Sequence, residues 1–211
     1  MLSLLIIIWL LKLSHLMFEF AGYSIKLIMK KVHLIQADIT AFAVHAIVNS
    51  ANKSLLGGGG LDYVVHKKAG PLMKEECIRL NQQKGGCPTG QAEVTTAGNL
   101  PAKYLIHAVG PRWLDGEHNE PQLLCDAYSN ALFKANEIHA LTVSFPCIST
   151  GVYGFPPQKA AEIAIGTILS MLPQYDHVAE VFFICREDEN YLIYKNLLSN
   201  IDDPNIQILI S

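Results

Sequence analysis

From Val32 onward the chain alternates short β-branched and apolar runs with longer runs whose apolar positions recur every three or four residues. The short runs at 32–36, 46–50, 92–98, 103–110, 141–149 and 180–185 predict strands. The longer ones at 61–83, 120–139, 156–172 and 188–198 predict amphipathic helices. Pro157 marks a helix start, and Gly70–Pro71 breaks the first long run into two. Such alternation predicts a sheet covered on both faces, and the nearly continuous apolar character of the middle strands agrees. The tail DDPNIQILIS reads either as a last strand or as a frayed end.

In sheets of this kind, ligands sit beyond the carboxyl ends of the strands. Two predicted strands run into glycine-rich loops that end at helix starts: NSANKSLLGGGGLD after the second and STGVYGFPP after the fifth. Four consecutive glycines cost backbone entropy unless the chain needs unusual dihedrals or close backbone approach. A helix start after such a loop offers unpaired N–H groups to an anion. The pair therefore predicts two jaws on a polyphosphate. GGGGLD has no Lys-Ser or Lys-Thr after its glycines, so it is not a P-loop, and it lacks the spacing of a dinucleotide fingerprint. Ser149 in CISTG does not stand in a hydrolase elbow. The eight histidines show no metal-ligand spacing, and His66 and His107 read as hydrogen-bonded structural side chains.

Composition bounds the rest. At 211 residues, 50% hydrophobic and 17% charged, the chain suits one domain with a sizeable core. Its net charge of −3 weighs against a protein that tracks nucleic acid. Five cysteines without a C-x-x-C pair read as reduced thiols of a cytoplasmic protein, with no structural zinc. The apolar run at 1–28 is broken at Lys12, too short to span a bilayer and without a signal-peptide pattern. It reads as a weak membrane-contacting segment, an added strand or helix, or, favoured here, an over-called start upstream of Met29, which leaves 29–211 as the domain.

LIQADIT (34–40), AIVNSAN (46–52), GGGGLD (57–62), CPTGQAEVTTAG (87–98), YLIHAVGP (104–111) and ISTGVYGFP (148–156) together resemble the macro domain family, its MacroD-type branch in particular. The match runs in order from about Met29 to about Leu198. The resemblance implies a three-layer α/β/α fold around a mixed sheet of about six strands, with a cleft for ADP-ribose. It also implies hydrolysis of ADP-ribose esters, on mono-ADP-ribosylated acidic side chains of proteins or on O-acetyl-ADP-ribose. A reader module that binds ADP-ribose without turnover is the alternative. No cofactor or metal is implied, because backbone N–H groups and helix ends can neutralise a pyrophosphate.

Carried over position by position, Asp38 matches the adenine-reading aspartate, with the Ile39 backbone N–H beside it. The other role open to Asp38 is a cap for the turn that follows. Asn52 matches the asparagine that holds the distal ribose, and Asn49 is counted among the substrate-binding residues. Gly58, Gly59 and Gly60 let the backbone approach the distal ribose and pyrophosphate. Ser149, Thr150, Gly151, Val152, Tyr153 and Gly154 wrap the pyrophosphate from the other side. Asp62 is placed near the scissile bond, where a carboxylate orients or deprotonates a water. Three departures stand out. Ala37 replaces a glycine, Tyr63 is read as narrowing or gating the distal-ribose end, and Arg186 replaces an aromatic residue on adenine.

Overall fold

The computed structural model describes residues 29–211, so the expectation for residues 1–28 lies outside the described residues. In chain order the elements are β1 (Lys30–Gln36), β2 (Ala46–Ser50), α1 (Gly60–Ala69), α2 (Pro71–Lys84), β3 (Ala92–Thr96), β4 (Tyr104–Ala108), α3 (Glu120–Glu137), β5 (Thr142–Phe145), α4 (Pro157–Met171), β6 (Glu180–Cys185), α5 (Asp188–Leu198) and β7 (Ile206–Ile210). The sheet order is β3-β4-β2-β5-β6-β1-β7. Among the described residues only β3 runs antiparallel to its neighbour; every other pair is parallel.

Side chains on successive strand residues face opposite layers, and the chain uses both faces. On β1, Val32 and Leu34 enter the core under α3, α4 and α5. On β6, Val181, Phe183 and Cys185 do the same, while Ile184 joins the smaller core under α1 and α2 with Ile47 and Leu105. The result is the expected α/β/α sandwich. Gly70 and Pro71 divide the first helical run as the sequence suggests: Gly70 takes φ +83°, and Pro71 opens α2 without losing a needed donor.

Among the described residues the sheet holds seven strands, against the expectation of about six. The tail is a strand because Ile206, Ile208 and Ile210 alternate and pair with β1 in parallel register. The strands expected at 92–98, 103–110 and 141–149 end earlier. Val109 and Ile148 are fully buried yet stand outside the ladder, so burial, which the apolar pattern reports, continues into the exit loops.

Candidate active site

Four central strands, β2, β5, β6 and β1, send their carboxyl ends to one cleft of about 560 Å3. The exit of β1 supplies Asp38 and Ile39, and that of β2 supplies Asn52 and the glycine loop. The exit of β5 supplies Ser149 to Tyr153, and that of β6 supplies Arg186. Of the catalytic and substrate-binding residues expected from the sequence, Asn49 and Gly154 stand outside the cleft wall.

The first jaw is held by Asn52. Its Oδ1 accepts from the backbone N–H groups of Ser54 and Leu55, at 3.0 and 3.1 Å, and from the Ser54 hydroxyl at 2.7 Å. Its Nδ2 donates to the Gly57 carbonyl at 2.8 Å, strapping the start of the glycine run. Gly58 must be glycine for steric reasons. A Cβ there would lie 2.8 Å from Asn52 Nδ2 and 3.1 Å from Asp62 Oδ2, so both side chains close on its bare Cα.

Asp62 stands in the first turn of α1, where a carboxylate is favoured by the helix dipole. It is 3% exposed, and its two oxygens have different fates. Oδ1 accepts from Asn49 Nδ2 at 2.7 Å, while Oδ2 has no partner among the described residues. Burial pushes its pKa up from the usual carboxylate range, and the Asn49 hydrogen bond opposes that only partly.

Asn49 sits behind Asp62 rather than in the cleft. Its Nδ2 also donates to His107 Nδ1 at 3.3 Å, and His107 is the residue registered opposite it on β4. The Thr95 hydroxyl lies 2.9 Å from His107 Nε2 and donates to the Thr96 carbonyl, so Nε2 carries the imidazole proton. Burial, with His66 nearby, holds His107 neutral by lowering its pKa to about 3. A hydrogen-bonded chain thus runs from the sheet edge to Asp62 and fixes its rotamer.

His107 is the structural histidine the sequence suggests; His66 departs from that expectation. Neither of its ring nitrogens has a hydrogen-bond partner among the described residues, and Nε2 lies 3.5 Å from Asp62 Oδ1. The helical i, i+4 spacing brings the two together, a signal the sequence carried. His66, Cys77 and His107 each place one ligand atom within 4.8 Å of the others. That cluster is suited to packing rather than to a metal, since both His107 nitrogens are engaged and burial pushes the Cys77 thiol up to about 12.

The second jaw carries backbone strain. Ser149 takes φ +68°, a left-handed conformation costing a non-glycine residue about 1 kcal/mol or more. Its hydroxyl is buried without a partner among the described residues. The loop is closed by Thr150, Gly154 and Phe155 N–H groups donating to Cys147, Gly151 and Ser149 carbonyls. The N–H groups of Gly151, Val152 and Tyr153 take no part in that closure. Tyr128 holds the loop from below: its hydroxyl donates to the Pro146 carbonyl at 3.1 Å and accepts from Ile148 N–H at 3.0 Å. Val152 reaches across to the first jaw, with Cγ2 3.6 Å from where a Gly59 Cβ would stand.

At the far end, Asp38 caps the single turn Ile39–Ala41 through Thr40 N–H at 2.9 Å, and Lys68 Nζ lies 2.9 Å from its other oxygen. The Thr40 hydroxyl first, and Lys68 next, pull its carboxyl down to about 2. The capping role is therefore real, and it leaves the ionised carboxylate on the cleft wall. Arg186 is exposed beside it, and Asn190, absent from the sequence-based set, presents a buried Oδ1 with no partner among the described residues. Tyr63 does not narrow the cleft. It is 58% exposed outside the wall, because one helical step of about 100° turns it away from Asp62, and Leu61 and Val64 line the wall instead.

The comparisons with known proteins agree with this geometry. The family model of the macro domain matches residues 48–164. A macro domain-containing protein of Acinetobacter sp. strain ED45-25 is 98% identical over 183 residues, 87% of this chain and all of that protein. An O-acetyl-ADP-ribose deacetylase of Escherichia fergusonii is 49% identical over 173 residues, 82% of this chain and 98% of that protein. Among solved structures, the Trypanosoma brucei macrodomain in complex with ADP-ribose superposes with a TM-score of 0.74 at 34% identity, covering 82% of this chain and 71% of that one. With a cleft built from the same strand exits that its motifs single out, the chain belongs to the macro domain family.

Proposed function

We propose that the protein is a hydrolase of ADP-ribose esters, deacetylating O-acetyl-ADP-ribose and removing mono-ADP-ribose from acidic protein side chains. The observation that carries this reading is Asp62 Oδ2: buried, unpartnered and turned on Gly58 beside Asn52. An anchored carboxylate with one free oxygen suits a general base that takes a proton from water. Water adds across the ester, the ester C–O bond breaks, and an acid and a hydroxyl on ADP-ribose leave. Asn52 and Tyr153 flank the distal ribose in this reading. The free N–H groups of the second jaw take the pyrophosphate, as helix ends and loops of this kind do. No helix among the described residues is long and apolar enough to cross a membrane.

The test is direct. Purified protein is expected to release acetate from O-acetyl-ADP-ribose and ADP-ribose from a protein modified on Glu or Asp. Tight ADP-ribose binding with no release from either would make the chain a reader.

At the adenine end, Asp38 accepts from the exocyclic amine while Arg186 lays its planar guanidinium on the ring. Arg186→Ala is expected to weaken ADP-ribose binding about fivefold or more, with the affinity for ribose 5-phosphate unchanged. Equal ADP-ribose affinity in calorimetry would remove the stacking role.

A further inference from the structure

A second groove of about 510 Å3 opens from the cleft past Tyr153 and Asn52, the two residues that line both. Pro111 and Leu123 form an apolar floor, and the rim carries the exposed Leu114 with Lys53 and Arg112. Both cations are exposed, and neither has an ion-pair partner among the described residues. The one carboxylate in the lining, Glu120, is buried and already spent. Its oxygens accept from the backbone N–H groups of Leu114, Asp115, Gly116 and His118. His118 in turn is held by Asp115 at 3.0 Å. The groove is therefore a short cleft with an apolar patch and two exposed, unpaired cations on its rim, set against one buried carboxylate that is turned inward onto backbone N–H groups.

Its walls are tied to the second jaw. Trp113 N–H donates to the Tyr153 carbonyl at 2.9 Å, and the Arg112 guanidinium lies 5.8 Å from the Tyr153 ring centroid. If Asn52 and Tyr153 flank the distal ribose, as in the reading above, this groove is the space next to its ester group.

We propose that the groove receives the polypeptide on either side of the modified carboxylate and selects substrates whose neighbouring residues are acidic. This rests on the hydrolase reading given above and adds a substrate class to it. O-acetyl-ADP-ribose, whose leaving group is only acetate, does not reach Lys53 or Arg112. Exposed charge pairs contribute modestly and are screened by salt, so the selection acts on the protein substrate alone and weakens as salt is added.

The test uses two peptides mono-ADP-ribosylated on a single Glu, one flanked by Asp and one by Lys, with O-acetyl-ADP-ribose as third substrate. The wild type is expected to favour the Asp-flanked peptide by roughly tenfold in kcat/KM at low salt. The double variant Lys53→Glu/Arg112→Glu is expected to reverse that preference and to deacetylate O-acetyl-ADP-ribose at the wild-type rate. The same flanking preference in both proteins, or an equal loss on all three substrates, overturns the proposal. Wild-type turnover of O-acetyl-ADP-ribose but of neither peptide overturns it too while leaving the small-ester activity standing. No turnover of any of the three overturns the hydrolase reading as well.

Discussion

Asp62→Ala is expected to lower turnover of ADP-ribose esters by about two decades or more, the usual contribution of a positioned general base. ADP-ribose affinity should stay within about threefold, because Asp62 holds no part of the pyrophosphate or adenine in the proposed site. Single-turnover release and calorimetry on the two proteins measure this. Equal release rates would reduce Asp62 to a first-turn helix residue. The pH profile adds a second readout. Burial raises the Asp62 pKa, and only its ionised form accepts a proton. Activity should therefore be lost, as pH falls, at values above the usual carboxylate range. The same shift has the opposite sense for the fold. A carboxyl whose folded pKa is raised stabilises the protonated side and gives that contribution up as pH rises through its folded value. At neutral pH the ionised Asp62 is thus a cost to stability that the Asn49 hydrogen bond only partly offsets.

The second large effect concerns the scaffold. Gly98→Ala should lower stability by about 3 kcal/mol or more, and Tm by roughly 10 °C for a domain of this size. Gly98 takes φ +59°, where a side chain is strained, and a Cβ there would stand 2.1 Å from the Ala69 carbonyl at the end of α1. That carbonyl already accepts from Asn99 N–H at 2.9 Å, so neither the helix end nor the turn can yield without loss. Well below its Tm the variant should bind ADP-ribose like the wild type, since the contact lies at the end of α1 remote from Asp62. A melting point within about 2 °C of wild type would mean that the backbone there relaxes more cheaply than the geometry allows.

The sequence displayed the sandwich well because strand and helix periods differ and the breakers sit where elements change. Gly70–Pro71 and Pro157 were legible for that reason. Strand ends were not, because Val109 and Ile148 remain buried beyond the ladder and hydrophobicity reports burial rather than hydrogen bonding. The cleft was legible through its glycine loops, which few other needs explain. Asn190 was not, since a polar residue in a first helical turn looks like any solvated one until β6 and α5 are placed. Nor could spacing show that Asn49 lies behind Asp62. On a strand beside β4, only the register with His107 decides which way its amide points. Tyr63 illustrates the converse, where adjacency to Asp62 in sequence means a different face on a helix.

The place of β1 between β6 and β7 has a consequence for how the chain is made. Lys31 pairs with Glu180 and with Gln207, so the first described strand waits for partners synthesised far downstream of it. The glycine jaw with α1, α2, β2 and β4 lies within residues 46–108 and can form early. Arg186, by contrast, trails Asn52 by 134 residues of chain, roughly 7–27 s at ordinary rates of synthesis. During that interval the nascent protein holds a reaction centre without an adenine pocket, and β1 presents unpaired edges to its surroundings. Until Ile206 to Ile210 emerge and pair with it, that edge of β1 stays open to pairing with other chains.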